Sequence, residues 1–295
     1  MVKVPPIEPQ DHPILIVGAG PVGMLAALLL SQQGMASIIV ERREDRHTAP
    51  RAHAVNPRTL EICASLGLPI DDIYAAATPA SHGGWVQFVS TLSGAHLGTL
   101  PYERQDQAVK ELTPYPLANI SQPRFEEILE TAIQQRDNIK LCRGLSCEAV
   151  EQDDSGVKVN LSGIQGEQTV QARYLLAADG AGSGIRRQLE IEMEGPEAIE
   201  HFMMIHFEAD LEHLVSEHPG ILYFLLDPDA PGTLICFDRC DNWVLMQPCP
   251  PGEGAEDFDE VRCLGLIDKA AGCPVPGARI RNVSPWVMSS QVASE

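Results

Sequence analysis

The G-x-G-x-x-G pattern at residues 18–23 constrains the fold of this chain more tightly than any other part of the sequence. It follows an apolar run, residues 14–17, and precedes residues 21–33, which are rich in helix formers. A second apolar run, residues 37–40, comes after a helix stop at Gly34. Short continuous apolar runs are typical of buried parallel strands. The sequence therefore predicts a strand, helix and strand unit with a right-handed crossover.

Each position of the glycine pattern has a physical role in such a unit. Gly18 permits a tight turn, Gly20 lets the backbone approach a pyrophosphate, and Gly23 lets the helix pack on the sheet. Pro21 and Val22 open the helix, whose free N–H groups and partial positive charge favour phosphate groups. The pattern indicates a phosphate-binding turn.

Glu41 ends the second predicted strand, 18 residues after Gly23. An acidic residue at this place is expected to accept a hydrogen bond from a ribose hydroxyl. The glycine turn and Glu41 together predict that the chain binds a dinucleotide.

The formal net charge is −20, from 41 acidic and 21 basic residues. Nucleic acids and anionic membranes favour Lys/Arg-rich surfaces, so neither is expected as a partner. The acidic residues are concentrated at residues 190–272, which hold 19 of them and three basic residues. The first 60 residues are close to neutral, and they are able to accommodate an anionic cofactor.

Targeting and metal-binding patterns are not found in the sequence. No apolar run approaches the roughly 20 residues that a membrane span requires, and residues 1–13 lack a signal-peptide core. The eight cysteines form no C-x-x-C pair, and we expect reduced thiols and no metal site. These features predict a cytoplasmic location, and they leave a homodimer open.

The rest of the chain alternates between two kinds of pattern. Turn residues separate three short segments between residues 147 and 172, which predicts an antiparallel meander. Residues 174–178 predict a further buried strand, and short strands with one helix near 258–271 follow residue 190. The predicted fold class is α/β, with a Rossmann-like parallel sheet interleaved with a mostly antiparallel β domain.

Four motifs along the chain resemble those of the flavoprotein aromatic hydroxylases, the FAD monooxygenases typified by para-hydroxybenzoate and phenol hydroxylases. The motifs are Glu41-Arg42, residues 51–61, Gln122-Pro123-Arg124 and residues 179–186. The resemblance extends over essentially the whole chain, and the pattern is most similar to the chlorophenol and polyketide hydroxylase branch. Four motifs in the same order are far more specific than any one of them.

The resemblance implies a role in FAD binding for several of these residues. Glu41 is implied to hold the adenosine ribose, with Arg42 near the adenine. Arg51 resembles an arginine beside the flavin pyrophosphate, where a guanidinium fork fits phosphate oxygens. Gln122 resembles a glutamine that contacts the ribityl and pyrophosphate region.

Residues of the last motif and one histidine complete the set of candidates. Asp179 and Gly180 resemble a motif that faces both FAD and NADPH, and Arg186 is expected to brace the same turn. His53 is a candidate for deprotonating a phenol, because its ordinary pKa lies near neutrality. The alternative for His53 is a packed neighbour of the cofactor loop.

Aromatic and Met side chains alternate along the predicted strands of the second domain. Such residues form a sheet core more often than they enclose a substrate, and both interpretations are open for Trp85, Phe88, Tyr223, Phe224, Phe237, Trp243 and Met246.

The implied organisation is an FAD-binding domain at residues 1–80 and 112–189, with a substrate domain at 81–111 and 190–290. The implied activity is hydroxylation of a phenolic or polyketide-type aromatic substrate with FAD, NADPH or NADH, and O₂. Family members continue beyond Trp286 into a Gly-Asp motif that holds the flavin, whereas this sequence stops at Glu295. We therefore expect a C-terminally truncated member, and whether it turns over stays open.

Two other functions fit parts of the same pattern. One is a catalytically dead nucleotide-binding remnant or interaction protein. The other is an FAD- or NAD-dependent dehydrogenase that shares the first strand, helix and strand unit. The motifs at Gln122 and Asp179 count against the dehydrogenase.

Overall fold

The computed structural model describes residues 14–46, 52–102, 105, 107–164 and 166–294. Its strands are β1 (Ile14–Val17), β2 (Ser37–Glu41), β3 (Trp85–Val89), β4 (His96–Pro101), β5 (Ile139–Arg143), β6 (Leu145–Asp153), β7 (Gly156–Gly163), β8 (Gly166–Ala172), β9 (Tyr174–Ala177), β10 (Met193–Glu194), β11 (Glu200–Glu208), β12 (Leu222–Leu225), β13 (Gly232–Asp238), β14 (Asn242–Pro248), β15 (Arg279–Met288) and β16 (Val292–Ala293). Its α-helices are α1 (Pro21–Gln32), α2 (Pro57–Ser65), α3 (Ile70–Ala76), α4 (Ala80–Gly83), α5 (Gln122–Gln134), α6 (Gly184–Gln188), α7 (Glu212–Val215) and α8 (Glu260–Ala271).

The predicted strand, helix and strand unit is confirmed. β1 and β2 are parallel neighbours in a four-stranded sheet with the order β5-β2-β1-β9, and α1 connects them. All four strands run parallel. The carboxyl ends of β1, β2 and β9 therefore lie at one edge of this sheet, where open α/β sheets bind their ligands.

Different layers cover the two faces of the parallel sheet. On one face, α1, α2 and α5 enclose a core that includes Met24, Leu60 and Leu129, each fully buried. On the other face, the antiparallel sheet β6-β7-β8 packs through Val159, Leu161 and other apolar residues. The predicted meander is confirmed, and it forms a third layer beneath the parallel strands.

The prediction that residues 174–178 form a buried strand is wrong about burial. β9 is present, but Tyr174 is 56% exposed and Leu176 is 39% exposed. Its one partner among the described strands is β1, so β9 forms the outer edge of the sheet. An apolar run predicts burial because parallel strands usually have neighbours on both sides. A strand at the edge of the sheet can have the same apolar residues as a central strand, so the sequence does not distinguish the two.

A mixed seven-stranded sheet forms the second half of the molecule, with the order β15-β11-β14-β13-β12-β3-β4. One face packs on α8 and buries Met203, Phe207, Tyr223 and Trp243 in the core. The edge strand β15 is absent from the predicted elements. It contains Pro285, which weakens a strand signal and is tolerated at the edge of a sheet.

The other face of this sheet carries a transverse row of half-buried side chains. Pairing across neighbouring strands places in one row Phe88, Phe224, Thr233, Met246 and Met204. The rings of Phe88 and Phe224 stack with their centroids 5.3 Å apart. We call the side of the sheet that carries this row the aromatic face. Of the residues left open by the sequence, Tyr223 and Trp243 belong to the core and Phe88 and Phe224 do not.

No described helix is both long and apolar enough to span a membrane.

Candidate functional site

A cavity of about 430 Å³ lies at the carboxyl ends of β1, β2 and β9. Five separate segments of the chain contribute to its wall: the glycine turn, residues 40–46, the start of α5, residues 143–147, and the turn after β9 with α6. Most of the predicted cofactor-binding residues meet here, namely Gly18, Gly20, Pro21, Val22, Glu41, Arg42, Gln122, Asp179 and Gly180. The roles assigned to them stay predictions, whereas their convergence on one cavity is a property of the fold.

The glycine turn has the shape that a bound pyrophosphate requires. Gly18 has a φ of 107°, and a Cβ atom there would lie 2.2 Å from the carbonyl oxygen of Ala178. A Cβ at Gly23 would lie 2.0 Å from the Gly18 carbonyl oxygen, so Gly23 lies under the turn and outside the cavity wall. A Cβ at Gly20 would meet no atom within 4 Å. The space beside Gly20 is therefore open for a ligand, and it adjoins the N-terminus of α1.

The Glu41 carboxylate is held against the glycine turn by backbone donors. The Ala19 N–H donates to Oε2 at 3.0 Å, and the Arg43 N–H donates to Oε1 at 3.1 Å. A carboxylate offers about four acceptor positions, so each oxygen is able to accept one further hydrogen bond. Glu41 is thus fixed in position and still able to accept from a ribose hydroxyl.

The first two turns of α5 bring a glutamine and a glutamate to the cavity. The Gln122 side chain donates through Nε2 to Oε1 of Glu126 at 2.7 Å, and both residues line the cavity. Glu126 is 6% exposed, and burial raises the pKa of its carboxyl group. Sequence reasoning missed Glu126, although its spacing of four from Gln122 in a predicted helix places both on one face.

The turn after β9 is arranged by its own side chains. Asp179 Oδ2 accepts from the Ile185 N–H at 3.3 Å, and Ser183 caps α6 by accepting from the Arg186 N–H. The Arg186 guanidinium donates to the Ile191 carbonyl at 2.8 Å, which fixes the chain after α6. Arg186 does not line the cavity, whereas Arg187 does.

Arginines and acids nearly balance around the cavity, in contrast to the charge of the whole chain. The charged residues of its wall are Arg42, Arg43, Arg46, Arg143 and Arg187 with Glu41, Asp45, Glu126 and Asp179. Arg143 donates to Glu130 at 2.8 Å, so it is partly neutralised by an ion pair. The charge of the described wall is therefore close to neutral, although the whole chain has a net charge of −20. A doubly charged pyrophosphate in the cavity would not be strongly repelled by these residues.

His53 lies apart from this cavity, at the contact between the two halves of the molecule. Its ring is 5.7 Å from that of Tyr102 and 6.3 Å from that of Phe237 at the end of β13. Burial lowers the pKa of His53, against a smaller opposing effect of the Asn119 side chain. His53 Nδ1 and Asn119 Oδ1 are both buried without a hydrogen bond of good geometry.

Two further sequence predictions concern Arg51 and metal binding. Arg51, predicted to lie beside the pyrophosphate, falls outside the described residues. Within the described ranges, no three His, Cys, Asp or Glu side chains gather as metal ligands.

A parallel sheet with a glycine turn, an acid at the end of the second strand and a cavity at the strand ends defines a dinucleotide-binding α/β protein. The chain belongs to the FAD binding domain family, whose model matches residues 11–295. The resemblance and the fold class stated from the sequence motifs are therefore confirmed.

Two curated relatives that are named as hydroxylases match nearly the whole of this chain. It is 31% identical over 294 residues to the aklavinone 12-hydroxylase RdmE of Streptomyces purpurascens, covering 96% of this chain and 55% of the relative. It is 32% identical over 295 residues to the aklavinone 12-hydroxylase DnrF of Streptomyces peucetius, covering 96% of this chain and 59% of the relative. The chain thus spans little more than half the length of these relatives.

Solved structures share the fold. The flavin-dependent monooxygenase PieE, solved with FAD and substrate, superposes on this chain with a TM-score of 0.87 at 31% identity. The superposition covers 96% of this chain and 50% of the PieE chain. An aklavinone-11 hydroxylase, solved with FAD and aklavinone, gives a TM-score of 0.86 at 29% identity, with 98% and 56% covered.

Proposed function

We propose that this chain is the cofactor-binding and substrate-facing part of an FAD- and NAD(P)H-dependent monooxygenase that hydroxylates a phenolic or polyketide-type aromatic compound. One observation supports it above the others. The glycine turn, Glu41, Gln122 and the Asp179-Gly180 turn come from distant parts of the sequence and line one cavity. A chain with a glycine turn and no cofactor site would have no reason to bring the other three segments to the same cavity.

Different residues of the cavity contact different parts of FAD in this proposal. The open space beside Gly20 and the N-terminus of α1 receive the pyrophosphate. Glu41 accepts from the adenosine ribose, with Arg42 beside the adenine, and Gln122 contacts the sugar-alcohol chain. Bound FAD, reduced by NAD(P)H, supplies the chemistry that activates O₂, and the protein binds, orients and excludes water.

The aromatic face provides a surface for a flat, apolar substrate. Phe88 and Phe224 form a stacked pair, and Met204 and Met246 extend the row with adaptable thioether side chains. Phe237 connects the seven-stranded sheet to His53. The two aklavinone 12-hydroxylases and the solved aklavinone-11 hydroxylase act on aklavinone according to their names, and this face is proposed to receive a related aromatic compound.

His53 is proposed to accept the phenolic proton of that substrate. Its lowered pKa keeps the imidazole neutral near neutral pH, and a neutral imidazole is a base. A phenolate ring is richer in electrons than a phenol, so deprotonation favours transfer of oxygen to the ring.

Oxygen labelling tests the proposal directly. The chain is reconstituted with FAD and supplied with NADPH, ¹⁸O₂ and a polycyclic phenol, and the product is analysed by mass spectrometry. A product that carries one ¹⁸O atom supports the monooxygenase. Substrate oxidation without ¹⁸O in the product would favour the dehydrogenase, and FAD binding without turnover would favour the inactive remnant. A homodimer and a cytoplasmic location stay predictions.

A further inference from the structure

Glu126 is an unusual acid for the position that it occupies. It is 6% exposed, and among the described residues it takes part in no ion pair. Its neighbours on α5 behave differently, since Glu127 pairs with Arg46 and Glu130 pairs with Arg143. Buried carboxylates are rarely retained without a charged partner. Glu126 is nevertheless buried, and it accepts a hydrogen bond from the Gln122 side chain. This hydrogen bond is therefore the contact that could explain why an acid occupies the position.

The chemistry of that hydrogen bond fixes the orientation of the glutamine. An ionised carboxylate accepts hydrogen bonds and donates none, so the amide nitrogen of Gln122 must face Glu126. The observed bond, from Nε2 to Oε1 at 2.7 Å, has this arrangement. No described residue donates to the remaining oxygen, Oε1 of Gln122. That oxygen is an acceptor available at the cavity wall.

We propose that Glu126 is a positioning residue that holds the Gln122 amide with its carbonyl oxygen available to a hydroxyl group of the bound dinucleotide. This inference rests on the proposed function, since it takes Gln122 as a cofactor contact. A sugar or sugar-alcohol hydroxyl donates to a carbonyl oxygen, whereas a phosphate oxygen cannot. Glu126 thereby selects which part of the cofactor Gln122 recognises.

The same arrangement makes cofactor binding depend on pH. Burial is the largest influence on the pKa of Glu126 and raises it, and Glu41 from β2 raises it further. The hydrogen bond from Gln122, Arg143 from β5 and Arg46 from the segment after β2 lower this pKa, each by less than burial raises it. A protonated Glu126 is able to donate to Gln122, and the amide is then no longer held in one orientation. The affinity for FAD is expected to fall as Glu126 gains its proton, at a higher pH than an ordinary glutamate would require.

Equilibrium FAD titrations of the whole chain test this inference through a double-mutant cycle. We expect Glu126→Leu to weaken FAD binding about tenfold, and Gln122→Leu to weaken it by about the same factor. The double variant is expected to be no weaker than Gln122→Leu alone, because Glu126 acts through Gln122. Asp137→Asn, which removes an exposed acid just after α5 and outside the cavity wall, is the control and should bind as wild type does.

A second variant separates positioning from a purely structural role. Glu126→Gln keeps an acceptor for Gln122, so it should bind FAD within about threefold of wild type near neutral pH, and it should lose the pH dependence. Multiplicative effects of Glu126→Leu and Gln122→Leu, or an unchanged pH profile in Glu126→Gln, would overturn the role of Glu126 alone. A wild-type chain that binds no FAD would instead contradict the proposed function.

Discussion

The backbone N–H of Ala19 donates to the carboxylate of Glu41 across 3.0 Å, which ties the end of β2 to the glycine turn. The second carboxylate oxygen is held by Arg43, so the acid is oriented before any ligand arrives. Preorganisation of this kind lowers the entropic cost of binding. Glu41 therefore contributes both to the shape of the turn and to the recognition of a ribose.

Replacement of Glu41 by Ala should weaken FAD binding by about 10- to 100-fold, because hydrogen bonds to a charged acceptor contribute about 1.5–3 kcal/mol. The measurement is a flavin fluorescence titration. Glu44→Gln, which removes an exposed acid three residues away and outside the cavity, is the control. A Glu41→Ala variant with wild-type affinity would remove Glu41 from the cofactor site.

His53 should produce an acidic limb in the pH profile of turnover. Burial lowers the pKa of His53, so kcat should fall only as the pH drops through a value below the ordinary 6.5. His53→Gln, which does not titrate, should turn over more slowly and lack this limb. His213→Gln, at an exposed position on α7, should keep it. If the limb persisted in His53→Gln, another group would be the base.

The same shift has a consequence for stability. A histidine with a lowered folded-state pKa binds more protons when unfolded, so the free energy of unfolding should decrease as the pH falls below about 6.5. Urea unfolding of wild type and His53→Gln should show that the variant loses less stability over this range. Equal losses in the two proteins would contradict a neutral, buried His53.

Glu126 should affect stability in the opposite sense. Burial raises the pKa of Glu126, so the folded chain keeps this proton to a higher pH than the unfolded chain does. Its contribution to stability is complete below the ordinary carboxyl pKa and is lost as the pH rises through the raised value. The Tm of Glu126→Gln should therefore rise relative to wild type as the pH increases from the ordinary carboxyl value of 4.5 through the raised pKa of Glu126, while Glu127→Gln shows no such trend. A constant Tm difference would contradict this.

Much of the fold follows from local patterns. The first strand, helix and strand unit, the meander and α8 are where apolar periodicity and turn residues predict them. The exposure of β9 could not be predicted, because a strand's neighbours are set by the topology of the whole sheet and not by its own residues. β15 was missed since Pro285 and polar residues interrupt its pattern.

Some residues of the candidate site can also be predicted from local sequence patterns, and others cannot. Gly18, Gly20 and Glu41 are predictable because their spacing is set by one local unit. Gln122 and Asp179 required a resemblance to known proteins, since nothing local indicates which cavity they reach. Glu126 and Arg187 were missed because the sequence does not show that Glu126 is buried or that the side of α6 with Arg187 faces the cavity. Both properties depend on the tertiary structure.

Gly18 and Gly20 should respond differently to substitution, although they are two residues apart. Gly18→Ala combines a left-handed φ with a clash against Ala178, so it should destabilise the fold by about 3 kcal/mol or more. Gly20 has an extended conformation, with a φ of −77°, and open space beside it. Gly20→Val should therefore leave the apo fold within about 1 kcal/mol of wild type. Urea unfolding curves of both variants check this difference.

Calorimetric titration of the chain with FAD, in parallel for wild type, Gly20→Val and Gly98→Val, tests the central claim most directly. A Cβ at Gly98 on β4 also meets no atom within 4 Å, and Gly98 belongs to the seven-stranded sheet and does not line the cavity, so it is a matched control. We expect one FAD per wild-type and Gly98→Val chain, and binding at least about 100-fold weaker in folded Gly20→Val, because its side chain fills the pyrophosphate space. Equal affinity in all three proteins, or no binding to wild type, would contradict the assignment of this cavity to FAD.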